Sequence, residues 1–160
     1  MRRDDAVRTG RKAALFLAVG VLALAAGCSS AAPAGPGMLS ASIGGNPVAL
    51  VQPFKSRALG TVVANGTGYT LYWFSKDTAT YSGCSERCVA QWPPVTGKPR
   101  PAPGTTLAGQ LGTMYRAGGV VQATYDDHPL YTFAGDFDPG DVGGDGVTQF
   151  GGTWHVVRPG

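Results

Sequence analysis

Apolar and polar positions divide the chain into three stretches of different texture. Ala13 to Ala26 is an unbroken, uncharged apolar run of 14 residues, preceded by Arg2, Arg3, Arg8, Arg11 and Lys12. That run falls short of the roughly 20 residues a membrane-spanning helix needs. A basic stretch followed by a short apolar one is the layout of an export signal. Ser29 to Gly37, "SSAAPAGPG", has no hydrophobic period at all. Small residues with Pro and Gly cannot bury enough surface to order themselves, so this stretch predicts a flexible tether. From "PVALVQ" onward the apolar residues come in short runs of Val, Thr, Tyr, Phe and Trp bounded by Gly, Asn, Asp and Pro. That texture predicts strands joined by turns.

The third stretch is written twice. "LYWFSKD" spans Leu71 to Asp77 and "LYTFAGD" spans Leu130 to Asp136. Each follows a Gly, a Val-Val pair and a turn-like segment, "NGTG" in the first copy and "YDDHP" in the second, and each later reaches a Trp, Trp92 or Trp154. A duplicated sequence predicts a duplicated supersecondary unit. Side chains alternate faces along a strand, so Tyr72 shares a face with Phe74, and Tyr131 with Phe133. That face is common to both copies and is expected inward, with Leu71 and Trp73 on the other side. The expected fold is mainly β. Two pseudo-repeated β-hairpin units, about 58–96 and 113–160, pack by their aromatic faces into one small domain spanning 43–160.

One segment breaks the pattern. "SGCSERCVAQWPPV" places Cys84, Cys88 and Trp92 four apart, on one helical face. Ser82 is the expected N-cap, Glu86 falls in the first turn, and Pro93 with Pro94 ends the run. This predicts one short helix near 83–92.

Charge changes little once the export signal is set aside. The full chain has 13 basic and 10 acidic side chains. Residues 1–27 carry five and two of these, which leaves eight of each sign in the remainder. No basic patch argues for nucleic acid. The apolar run ends in "LAAGC", which resembles the lipobox of bacterial lipoproteins, although Ala25 stands where Leu is usual. The resemblance implies cleavage before Cys28 and acylation of its thiol. The lipid would then hold residues 28–42 as a tether on the extracytoplasmic face of the cell membrane, and two or more acyl chains anchor stably where one does not.

Taken together, "LGTVVANGTGYTLYWFSKD", "CSERCVAQWPPV", "TYDDHPLYTFAGD", "DPGDVGGDG" and "GGTWHVVRPG" resemble the bacterial secreted-repeat lipoproteins marked by a Tyr-x-aromatic-x-x-Asp motif. The likeness covers roughly Ala58 to Gly160 and implies export and a fold rather than an activity. Such members usually carry Gly where Asp127 stands, so the second hairpin is expected to use another turn.

Candidate chemistry is sparse. Cys84 and Cys88, exported as an even pair once Cys28 is acylated, are expected to form a disulfide. The alternatives are a redox-active pair or a metal pair. Zinc wants four ligands, and His128 and His155 have no ligand spacing to each other. Asp136, Asp138, Asp141 and Asp145 fall within ten residues and are weak calcium candidates, but Asp141 and Val147 stand where an EF-hand loop has Gly and Glu. Asp77 and Asp136, closing the two motifs, are expected to cap backbone donors. No nucleophile elbow and no phosphate loop is present. The expectation is an envelope lipoprotein with a non-enzymatic structural or binding role and no cofactor, or alternatively one using Cys84 and Cys88 for redox or metal handling.

Overall fold

The computed structural model describes residues Pro47–Gly160. The predicted signal, Cys28 and the tether lie outside the described residues. Strand β1 (Val48–Lys55) pairs antiparallel with β2 (Thr61–Asn65), and β3 (Tyr72–Phe74) follows. A five-residue helix, α1 (Arg87–Gln91), leads to β4 (Lys98–Pro101), which joins β1 in parallel. Strands β5 (Leu111–Tyr115), β6 (Val121–Tyr125) and β7 (His128–Pro129) form a second antiparallel set. Two short strands, β8 (Thr148–Gln149) and β9 (Gly152–Val156), close the chain, and β9 lies beside β3.

The fold is mainly β and doubled, and the doubling reaches further than the repeated phrase. Val51 of β1 pairs with Asn65, and Leu111 of β5 pairs with Tyr125, so β1 and β2 correspond to β5 and β6 with every residue sixty positions on. The two motifs themselves are 59 apart. The missing residue lies in the turns. The first hairpin closes over Gly66, Thr67 and Gly68, where Asn65 N–H bonds to Tyr69 O and Gly68 adopts φ 90°. A three-residue loop ending in a left-handed Gly is a favoured hairpin closure. The second hairpin closes over Asp126 and Asp127, at φ 47° and 63°. Positive φ at both central residues is the signature of a two-residue type I′ turn, and Asp tolerates it.

The repeats then exchange their closing segments. Leu71 N–H bonds to Val63 O, Val63 N–H to Val157 O, and Val157 N–H to Leu71 O. The same ring recurs as Leu130 to Ala123, Ala123 to Val95, and Val95 to Leu130. Val157 ends the second repeat and completes the first. Val95 ends the first and completes the second. Between the rings Tyr72 and Tyr131 bond each other's backbone reciprocally, both at 2.9 Å, as residues beside a two-fold axis do.

Two expectations are corrected. The helix is half the predicted length, because Glu86 turns to φ 49° and no side chain caps the start of α1. Ser82 does not cap it; its hydroxyl accepts from Cys84 N–H and meets the Tyr131 hydroxyl at 2.6 Å. The second face of the motif strand, on which the sequence places no expectation, is buried as well. Leu71 and Leu130 sit at 0% exposure in a second core with Val51, Val63, Ala123 and Val157, and Trp73 packs against it. The motif strands are a layer with a core on either side, since β1 and β5 supply a cover that the phrase alone does not reveal. Tyr72, Phe74 and Tyr131 are buried in the aromatic core, whereas Phe133, at its edge, is half-buried.

Candidate functional site

The aromatic core is a stack built from both repeats. Trp92 and Trp154 lie face to face with centroids 3.9 Å apart and planes 2° from parallel. Phe74 stacks on Trp154 at 4.4 Å, and Phe133 on Trp92 at 4.3 Å. Each Phe therefore covers the other repeat's Trp. Tyr72 and Tyr131 stand edge-on to the Trp of their own repeat, at 5.5 and 5.1 Å. Such contacts contribute about 0.5–1.5 kcal/mol each beyond their buried area. The Trp154 indole N–H is a buried side-chain donor with no partner among the described residues.

The motif aspartates cap backbone donors as expected: Asp77 accepts from Gly83 N–H at 2.8 Å, and Asp136 from Gly143 N–H at 2.9 Å. Their second oxygens accept phenol hydroxyls, crosswise. Tyr72 donates to Asp136 at 2.6 Å, and Tyr131 to Asp77 at 2.5 Å. Burial raises both carboxyl pKa values above their ordinary 3.8, against the opposing pull of these hydrogen bonds. Burial, and then the carboxylate partner, pushes Tyr131 up to about 12 and Tyr72 further still. All four groups are thus held where one partner can donate and the other accept. The spacing of the motif legibly marked these residues, but which Tyr meets which Asp was not readable.

Cys84 and Cys88 form a disulfide with Cα atoms 5.2 Å apart, buried against the aromatic core. Helix α1 begins only after Glu86, which permits the close approach that a regular helix at this spacing does not. His128 and His155 lie on either side of Trp73, at 4.5 and 4.6 Å. The acidic loop does not converge on a point. Asp141 accepts from Phe137 and Asp138 N–H, Asp145 accepts from Val156 N–H, and Arg57 pairs with Asp138 and Asp141 at 3.3 Å. Among the described residues no group of three or more His, Cys, Asp or Glu could hold a metal ion.

A cavity of about 660 Å³ was not foreseen from sequence. It opens between the segment after Asp77 and the loop that joins β5 to β6, with Val89, Met114, Arg116 and Val120 in its lining and Tyr81 and Tyr115 exposed beside it. The loop that forms one of its walls has a counterpart in the first repeat. The loops 56–60 and 116–120 have equal length and close with the same bond, Ser56 N–H to Gly60 O and Arg116 N–H to Val120 O. In the first loop Leu59 packs onto the aromatic core, as do Val142 and Val147 of the acidic segment. In the second loop Gly119 stands in place of Leu59, and a side chain there would meet nothing within 4 Å.

A mainly β domain of two interlocked repeats is the class that this geometry defines. The chain belongs to the family of secreted repeats of unknown function, whose model matches residues 54–96 and 112–158. No curated protein and no solved structure matches the chain. Among the described residues no helix is long and apolar enough to cross a membrane.

Proposed function

We propose that this secreted-repeat protein is anchored to the extracytoplasmic face of the cell membrane by lipid on Cys28, and that its domain is a non-enzymatic binding module. The anchor is supported by the order of basic stretch, apolar run and "LAAGC". The observation that carries binding is the cavity beside the second repeat, which is apolar and of ligand size. Cavities of roughly 300–1,000 Å³ with a few polar groups are the usual form of small-molecule sites. The cysteine pair supports a structural part rather than a redox one, since both sulfurs are bonded and buried against Trp92.

Two measurements test this. Cys28→Ser should move the protein from the membrane to the soluble fraction, and intact mass should show acyl chains on the wild type alone. Retention of the variant in the membrane, with no acyl mass on the wild type, contradicts the anchor. A water-soluble aryl probe, phenylbutanol, should bind saturably and be displaced by a plug, Val120→Trp, at a position 43% exposed and so free to take a larger side chain. Binding that ignores the plug contradicts the binding module.

A further inference from the structure

The geometry points to a small apolar carboxylate as the ligand of this cavity, with a ring or branched chain over Met114, Val89 and Val120 and its anionic head on the Arg116 guanidinium. The inference rests on the binding-module reading and adds the ligand's class to it.

The apolar half of the argument is the lining. Val89, Met114 and Val120 give the cavity an apolar wall. What packs against that wall is apolar. Exposed Tyr81 and Tyr115 offer ring faces against which an aryl group packs.

The charged half is Arg116. Its Nη1 donates to Gln122 Oε1 at 2.7 Å and Ser82 Oγ at 3.0 Å, with the Tyr131 hydroxyl at 3.4 Å, and its Nη2 donates to the Cys84 carbonyl. All of these acceptors are neutral. Among the described residues no carboxylate comes within ion-pair distance of Arg116. The first repeat differs. Its loop carries a guanidinium one position along, Arg57, and the chain supplies two carboxylates to it, Asp138 and Asp141. The second repeat has the cation and the open space but, among the described residues, no carboxylate in direct ion-pair contact; Asp77, whose carboxylate feels the Arg116 charge, is taken by the Tyr131 hydroxyl and Gly83 N–H. A guanidinium on the wall of an apolar cavity loses water on that side, and a carboxylate bound in fork geometry compensates it with charge-assisted hydrogen bonds. Glu86 also lines the cavity and is exposed. Its charge opposes an anion there, and so it weakens binding without abolishing it.

The test compares phenylbutyrate with phenylbutanol by NMR titration, on the full chain carrying Cys28→Ser so that no lipid is attached. Phenylbutyrate should bind about tenfold or more tightly, the effect of a charge-assisted pair. Arg116→Gln should erase that difference, and Glu86→Gln should tighten phenylbutyrate severalfold while leaving phenylbutanol unchanged. Glu86 is exposed, so its replacement keeps the test valid even if Arg116→Gln unfolds. Equal affinity for the two probes, or insensitivity of phenylbutyrate to Glu86→Gln, overturns the carboxylate inference and leaves the binding module standing. Failure of both probes to bind overturns both.

Discussion

Tyr131 donates its hydroxyl to Asp77 across 54 positions at 2.5 Å, rather than to Asp136, which closes its own motif. Asp136 instead accepts from Tyr72, 64 positions away, at 2.6 Å. The repeated motif is therefore a clasp between repeats. Each copy contributes a phenol to the other's carboxylate, as each contributes a Phe to the other's Trp and a closing valine to the other's backbone ring.

Removal of one phenol should be costly because its partner stays behind. Tyr72→Phe leaves the buried Asp136 oxygen without its donor, and about 1–3 kcal/mol is the usual cost of such an orphaned group. Asp136→Asn, which keeps an acceptor for Tyr72 and removes the charge, should cost less than Asp136→Ala. Urea unfolding of the three variants checks the order, and an equal loss from Asn and Ala would contradict it.

Stability should fall with alkali through these same tyrosines. Tyr131 ionises at about 12 in the fold and near 10.0 when unfolded. Between those values the unfolded chain binds fewer protons than the native one, so the stabilisation present below pH 10 is lost as pH rises toward 12. At the acid end the sign is the same. Asp77 and Asp136 have folded pKa values above the ordinary 3.8, so their protonated forms are favoured in the fold and stability declines as pH rises from 3.8 through the folded values. Asp136→Asn should therefore become less destabilising relative to the wild type as pH rises through that window. Denaturation midpoints across pH check both slopes. Tyr131→Phe should flatten the alkaline one.

The disulfide should contribute modestly to stability. The loop between Cys84 and Cys88 is short, so chain-entropy arguments give it about 2 kcal/mol. The double change to Ser should lower the melting temperature by several degrees, about the shift expected for a domain of this size. A free-thiol count of zero before reduction and two after, on unfolded Cys28→Ser protein, checks the bond itself.

Much of this was legible in the sequence, and the remainder has identifiable physical causes. Tyr72 and Tyr131 declared themselves inward because that face keeps both of its aromatics in the two copies. Leu71 and Leu130 were hidden because their cover comes from β1 and β5, whose sequences "VALVQPFK" and "LGTMY" have nothing in common to align. The helix was overestimated because Ser82, Gly83 and Cys84 spend their hydrogen bonds on Tyr131, Asp77 and Ser82 rather than on helical partners. The crosswise pairing left no trace in spacing, since a Tyr and an Asp five apart in each copy read equally well as a local pair. The cavity left no trace in spacing, since its walls come from the segment after Asp77, from α1 and from the loop joining β5 to β6, which meet only in the fold.

The clasp is tested most directly by double-mutant cycles on Tyr72→Phe and Tyr131→Phe combined with Asp77→Asn and Asp136→Asn, read by urea unfolding. The structure predicts coupling of about 0.5–3 kcal/mol for Tyr72 with Asp136 and for Tyr131 with Asp77, the range for residues sharing a hydrogen bond. It predicts additivity within about 0.5 kcal/mol for Tyr72 with Asp77 and for Tyr131 with Asp136. Coupling inside each motif, with additivity between them, would mean that the repeats close on themselves and would contradict the exchange.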